Sequence, residues 1–121
     1  MAMVRKTPEG KIKSEICAYL ALLKRQGKLD FWLSHSTGLY DPTAKKYRMR
    51  NSPYDRKGIP DISGILAGGR AFFVEVKSPK GKLTKEQRDF LNSAHQMGAL
   101  CILARKPADV FILAARVSDS V

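Results

Sequence analysis

Cysteine is scarce in this sequence: Cys17 and Cys101 are the only two in 121 residues. Each sits inside an apolar periodic segment without metal-ligand spacing, which reads as a reduced core thiol in place of a disulfide or a zinc site. Histidine is equally sparse, and His35 and His95 stand alone with no partner spacing, so neither is assigned a role. Ser34, Ser36 and Cys17 have no readable adjacent base, which argues against a covalent nucleophile. Long apolar runs are missing as well. No segment approaches the ~20 apolar residues of a membrane span. Arg5 and Lys6 are not followed by an apolar stretch of signal-peptide length. The expectation is a soluble, cytoplasmic protein with no membrane partner. There is no internal repeat or low-complexity segment, and the length suits one domain over 1–121 built on a single core.

Acidic residues are the other shortage. Asp and Glu total 11 against 22 Lys and Arg, a formal charge of +11. So basic a chain suits a polyanionic partner and fast, salt-sensitive association. Nucleic acid leads, although charge alone also fits a membrane surface or a ribosome-associated protein.

Apolar periodicity and turn residues give an order of elements. Ile12, Ile16, Tyr19, Leu20 and Leu23 recur at helical spacing from Pro8 to Gln26, and Gly27 follows as a stop. Phe31 to Ser36 predicts a short first strand. The segment 38–58 contains Pro42, Asn51 and Pro53 and reads mostly as loop, with only Lys46 to Arg50 able to form a short strand. Two strands, Asp61 to Leu66 and Ala71 to Lys77, form a hairpin about Gly68-Gly69. Thr84-Lys85-Glu86-Gln87 carries a capping-box pattern that opens a second helix running to about Met97, with Phe90, Leu91, Ala94 and Met97 as its buried stripe. Gly98 ends that helix and Leu100 to Ala104 reads as a buried fourth strand. Pro107 opens a last helix packed through Val110, Leu113, Ala114 and Val117. A strand, helix, strand crossover is right-handed and parallel, which gives an α/β domain with a mixed sheet flanked by helices.

The chemistry concentrates where Pro60-Asp61 opens one strand and Glu75-Val76-Lys77 closes the next. Alternation along a strand points Glu75 and Lys77 to one face and Val74 and Val76 to the other. Two carboxylates suit a hard cation such as magnesium, which polarises phosphoryl oxygens and lowers the pKa of a bound water. The Lys77 ammonium can offset charge building on phosphorus or hold the attacking water. Register decides whether the acids meet. A two-residue Gly68-Gly69 turn would put Glu75 opposite Ile62 and send Asp61 to the other side of the sheet. An odd loop such as Ala67-Gly68-Gly69 sets Asp61 opposite Glu75 at a Cβ spacing of ~4.5 to 5.5 Å. An odd loop, or a bulge near Asp61, is therefore the expectation. Bland readings compete: Glu75 and Lys77 as a solvated edge-strand face, Asp61 as a turn residue after proline, Gln87 as a capping-box partner alone.

Two further features bear on the site. Glu15 lies on or beside the apolar stripe of the first helix, between Ile12 and Tyr19, where an ionised acid is costly unless paired. It is expected to join Asp61 and Glu75, through water or as a partner for Lys77. Lys45, Lys46, Arg48, Arg50, Arg56 and Lys57 interleave with Tyr47 and Tyr54 just before Pro60-Asp61, and Lys80, Lys82 and Lys85 follow the second hairpin strand. Both groups are expected to contact DNA backbone, with no base-specific pattern; the alternative is a solvated loop.

The array Gly58-Ile59-Pro60-Asp61, Gly68-Gly69-Arg70, Val74-Glu75-Val76-Lys77 and Gly81-Lys82-Leu83-Thr84-Lys85-Glu86-Gln87 closely resembles the VRR-NUC branch of the PD-(D/E)xK nuclease superfamily, in its stand-alone bacterial or phage form. The resemblance is sharp from Gly58 to about Val117. It implies a restriction-endonuclease-like αβββαβ core with a C-terminal helix. It also implies Mg2+ or Mn2+ held by Asp61, Glu75 and the main-chain carbonyl of Val76, with Lys77 as the catalytic lysine. Gln87 would orient the site and Glu15 would match the first-helix acid. A homodimer acting on branched DNA such as a Holliday junction, leaving 5′-phosphate and 3′-hydroxyl ends, is implied too, in the cytoplasm of a bacterial or phage-infected cell. The expected function is thus a metal-dependent, structure-selective DNA endonuclease. The alternatives are a restriction-like or general nuclease on the same fold, and a non-enzymatic nucleic-acid-binding module.

Overall fold

Thr7 starts the first helix by accepting the Gly10 N–H on its side-chain oxygen at 3.0 Å, and Pro8 takes the first turn, where no N–H is needed. The computed structural model describes residues 7–34, 38–49 and 52–117, with the backbone alone at 38–40, 47–49 and 117. Helix α1 (Pro8–Arg25) buries Ile16, Leu20 and Leu23, and Gly27 reverses the chain with φ +73. Strand β1 (Leu29–Leu33) follows at once, two residues earlier than the expected Phe31 to Ser36. Gly27 needs no linker after it, because the Lys28 N–H already closes onto the Leu23 carbonyl at 3.0 Å. Ser36 and His35 lie outside the described residues.

The segment expected to be mostly loop holds a hairpin. Strands β2 (Gly38–Asp41) and β3 (Lys46–Met49) pair antiparallel as a separate two-stranded sheet. Asp41 drives the turn, since its carboxylate accepts from Thr43 N–H at 3.0 Å and Ala44 N–H at 3.2 Å, and Lys45 takes φ +53. Pro42 thus sits in a tight turn and breaks no strand.

The main sheet runs β1-β4-β5-β6, with β4 (Ile62–Leu66), β5 (Ala71–Val76) and β6 (Leu100–Ala104). Its first three strands are antiparallel neighbours, and β5 to β6 is parallel through helix α2 (Lys85–Gln96). The fold is α/β, a mixed four-stranded sheet flanked by helices with a C-terminal helix, as the sequence predicts. Ile65 pairs with Ala71 and Ile62 with Val74, so the turn is the odd Ala67-Gly68-Gly69 loop, closed by Leu66 N–H to the Arg70 carbonyl at 2.8 Å.

The two faces of this sheet differ in how fully they are covered. Ile62, Phe72, Val74, Val76 and Ala104 are fully buried on one face against Ile16 and Leu20 of α1. Val110 and Leu113 close the same core. They come from a 3₁₀ turn (Pro107–Val110) and a short helix α3 (Ile112–Val117), which together replace the single expected helix. Ala114 is partly buried there, and the Val117 side chain lies outside the described residues. On the other face α2 contributes no fully buried residue. Phe90, Leu91 and Ala94, expected as a buried stripe, are only half-buried, and Met97 is 88 % exposed. It caps the helix and does not extend the stripe, because Gly98 at φ +98 turns the chain away.

Gly58 fixes how the chain enters β4. Its φ is +80, and a Cβ there would collide with the Glu86 carbonyl group and the Gln87 N–H at the start of α2. Gly69 has φ +104 with open space around it. Alanine at either site incurs the backbone strain of about 1–2 kcal/mol, but only Gly58→Ala also pushes two backbones apart. In thermal unfolding, Gly58→Ala is therefore expected to melt several degrees below Gly69→Ala. Equal midpoints would show that this contact is slack.

Candidate active site

Three elements bring their side chains to one place. Asp61 precedes β4 and shares a sheet face with Glu75 because the odd turn sets the register. Its carboxylate Oδ2 accepts the Val76 N–H at 2.9 Å, continuing the β4–β5 pairing with a side chain in place of backbone. Ser34 holds the other side of this corner: its N–H donates to the Asp61 carbonyl at 3.0 Å and its hydroxyl to the Pro60 carbonyl at 2.5 Å. A strand residue presents N–H and C=O on the same edge, so the Val76 carbonyl leaves β5 on the edge that Asp61 occupies.

Glu75 is 2 % exposed. Its Oε1 accepts from Gln87 Nε2 at 3.2 Å and lies 3.9 Å from Lys77 Nζ, while its buried Oε2 has no hydrogen-bond partner among the described residues. Gln87 serves two purposes, because its Oε1 also accepts the Thr84 N–H at 2.9 Å and completes the capping box of α2. The third acid is Glu9. Carboxylate oxygens of Glu9, Asp61 and Glu75 all lie within 4.8 Å of one another. Lys13, one turn along α1 from Glu9, places its Nζ 3.9 Å from Asp61 Oδ1.

Glu15 does not join this group and is exposed. Six residues separate it from Glu9, about 240° around the helix axis, so one helix cannot present both to the same point. The signal for Glu9 was present in the sequence: it lies one heptad before Ile16 and two before Leu23, on the buried line extended to the first turn. Lys13 and Ser34 were also missed, since each acts through a partner remote in sequence.

Burial pushes the Glu75 carboxyl from an ordinary 4.5 up to about 8, the Asp61 carboxylate adds to the rise, and the Lys77 ammonium opposes it. Three carboxylates and a carbonyl edge form an all-oxygen donor set, the kind that hard divalent cations take. The partnerless Glu75 Oε2 is the observation that fits a cation best, because a buried carboxylate oxygen left unpaired is costly.

The basic residues divide. Lys45 and Lys46 are exposed on the β2–β3 hairpin, whereas the Arg48 side chain and all of Arg50 lie outside the described residues. Arg56 and Lys57 are exposed, and the Arg56 guanidinium sits over the Phe90 ring at 4.6 Å. Lys80, Lys82 and Lys85 are exposed beyond β5, with Lys85 Nζ 3.9 Å from Asp89. Arg105 holds the turn that carries Lys80 and Lys82, donating from Nη1 to the carbonyls of Ser78 at 2.8 Å, Pro79 at 3.3 Å and Gly81 at 2.7 Å.

The Glu75 shift carries a pH signature. Between about 4.5 and about 8 the folded, cation-free chain keeps this carboxyl protonated while the unfolded chain ionises it, so stability falls as pH rises through that window. In EDTA, wild type is expected to lose on the order of a few kcal/mol between pH 5 and 8 relative to Glu75→Gln, read from denaturant midpoints. Parallel pH profiles for the two proteins would contradict the assignment.

The acid cluster and its lysine fall largely inside a segment that matches a family model. Residues 40–106, more than half of the chain, match the VRR-NUC domain, while no curated relative matches. This segment contains Asp61, Glu75, Lys77 and Gln87, and Glu9 and Lys13 lie before it. No helix among the described residues is long and apolar enough to cross a membrane. With the mixed sheet and the convergent acids already in place, the chain belongs to the VRR-NUC family of PD-(D/E)xK nuclease domains.

Proposed function

We propose that this nuclease domain is a metal-dependent, structure-selective DNA endonuclease, hydrolysing phosphodiesters in branched DNA such as four-way junctions as a homodimer. The observation that carries the metal dependence is the meeting of Glu9, Asp61 and Glu75 around a buried carboxylate oxygen with no partner. Asp61 and Glu75, with the Val76 carbonyl, would hold Mg2+ or Mn2+, and Glu9 would complete the ligand set in place of Glu15. A bound divalent ion would polarise the phosphoryl oxygens and ease ionisation of a water.

The chain's own groups divide the remaining work. Lys77, with a side chain only 13 % exposed, keeps its ammonium at the mouth of the acid cluster and offsets charge developing on the phosphate. Gln87 fixes the Glu75 carboxylate so that Oε2 is the free oxygen. Lys13 balances Asp61 and lowers the repulsion between the acids and an incoming phosphate. Exposed Lys45, Lys46, Arg56, Lys57, Lys80, Lys82 and Lys85 supply backbone contacts that position DNA without reading bases. A dimer would bring two such centres to opposite strands of a junction. Its surface is proposed at the C-terminal end, where Phe111, whose ring packs on Tyr19, is 54 % and Ile112 is 42 % exposed.

The test is cleavage of matched four-way, flap and linear substrates in Mg2+ or Mn2+. Wild type is expected to cut the branched substrates faster, and Lys77→Ala to lose about 10²- to 10³-fold, the scale of one lost charge-stabilising donor. Asp61→Asn and Glu9→Gln are expected to demand more metal, whereas Glu15→Gln behaves as wild type. Equal cutting of linear duplex would favour a general nuclease. Salt-dependent binding without cleavage in either metal would leave a binding module.

A further inference from the structure

The sheet face that carries Glu75 continues past the acid cluster. Alternation along β5 places Phe73 and then Ala71 on the same sheet face as Glu75, each step about 6.6 Å further from the acids. Helical spacing from Gln87 brings Phe90 and Ala94 along the facing side of α2. Between them lies a groove of about 470 Å3, floored by Phe73 and Phe90 and ending at Met97 and Gly98, with Arg56 and Arg70 on its rim. The two rings meet edge to face at 5.0 Å. Arg56 covers the Phe90 ring, and Arg70 donates from Nε to the Gly98 carbonyl at 3.0 Å, bracing the β4–β5 turn against the end of α2.

We propose that this groove is a subsite for an unpaired nucleotide adjoining the scissile phosphate. The volume falls in the range of small-molecule pockets and accommodates a base. Single-stranded nucleic acid is held by stacking of bases on rings or on guanidinium planes and by neutralisation of its backbone; Phe73, the Arg56 guanidinium lying over Phe90, and Arg70 offer these elements here. Both cations stand on the rim of an apolar slot, complementary to a ligand with one flat apolar part and one anionic part. Met97, at 88 % exposure, forms a lip at the far end of the slot. A stacked duplex base cannot enter, so the groove selects DNA in which a base next to the cut is already unpaired, as at a branch, a gap or an end.

This inference rests on the nuclease reading for its location but is tested separately. Affinity in EDTA is measured for three oligonucleotides: a continuous duplex, the same duplex with one unpaired nucleotide, and that duplex with the unpaired position abasic. Wild type is expected to prefer the unpaired base over both others. Phe90→Leu, which keeps apolar bulk without a ring, and Met97→Glu, at a surface position that folding does not need, are each expected to lose about tenfold on that ligand and little on duplex. Arg70→Gln should weaken the same ligand. Equal losses on duplex and unpaired ligand, or an abasic site that binds as well as a base, overturn the subsite. Cleavage by the same preparations is scored in parallel in Mg2+. If wild type cuts and the three ligands bind alike, the subsite fails and the nuclease stands; if the discrimination appears without cutting, the subsite stands and the nuclease reading fails.

Discussion

Because side chains alternate along a strand, the site depends on a parity. The β4–β5 turn has three residues, Ala67-Gly68-Gly69, with Gly68 at φ +101 and Gly69 at φ +104. That odd length places Asp61 and Glu75 on one face of the sheet and Ile62 and Val74 on the other. A turn one residue shorter would exchange the faces of one strand, burying Asp61 under α1 and exposing Ile62. Core packing and site geometry are therefore enforced by the same register. The fully buried Ile62, Phe72 and Val74 resist any slip that would part the acids.

The remaining contacts aim what the register has brought together. Ser34 fixes the backbone of Pro60 and Asp61, Gly58 lets that segment lie against α2, and Gln87 ties Glu75 to the helix start. Each group is satisfied twice, once as structure and once at the site. The exception is Glu75 Oε2, a buried acceptor with nothing to accept. Ionising that carboxyl among its acidic neighbours carries an electrostatic cost, which protonation avoids in the cation-free chain and which a cation would offset.

Much of this was legible from sequence because hairpin parity and capping boxes are local rules. Asp61, Glu75 and Lys77 could be grouped from alternation and spacing, whereas spacing gave Gln87 only its capping-box place and the family resemblance its role at the site; the odd turn followed from requiring the acids to meet. The third acid was harder. Glu15 was favoured because it borders the apolar stripe near the middle of α1, but the helix meets the site with its first turn, and only tertiary packing decides which end of a helix touches a hairpin. The β2–β3 hairpin was hidden for another reason. Its turn is made by the Asp41 carboxylate capping Thr43 and Ala44, a side-chain device inside a stretch whose prolines and basic residues read as coil. Met97 misled in the opposite direction, since it keeps helical spacing after the helix has ended.

A net charge of +11 suits a polyanion over the whole surface, yet among the described residues Glu9, Asp61 and Glu75 gather acids at the proposed point of reaction. With Glu75 ionised, three carboxylates would repel a phosphodiester, and Lys13 and Lys77 would offset only part of that charge. Under the proposed mechanism a divalent ion completes the neutralisation, so ion and phosphate each make the other's binding more favourable by removing charge that would oppose it. This coupling explains why Glu75 can be buried at all. Burial favours its protonated form in the cation-free cluster, and under the proposal its ionised form would belong to the loaded one, with Lys77 supplying only part of the counter-charge. Under that proposal basic surface and acidic centre are parts of one arrangement: the lysines and arginines would concentrate the polyanion, and the clustered acids would make hydrolysis conditional on a cation.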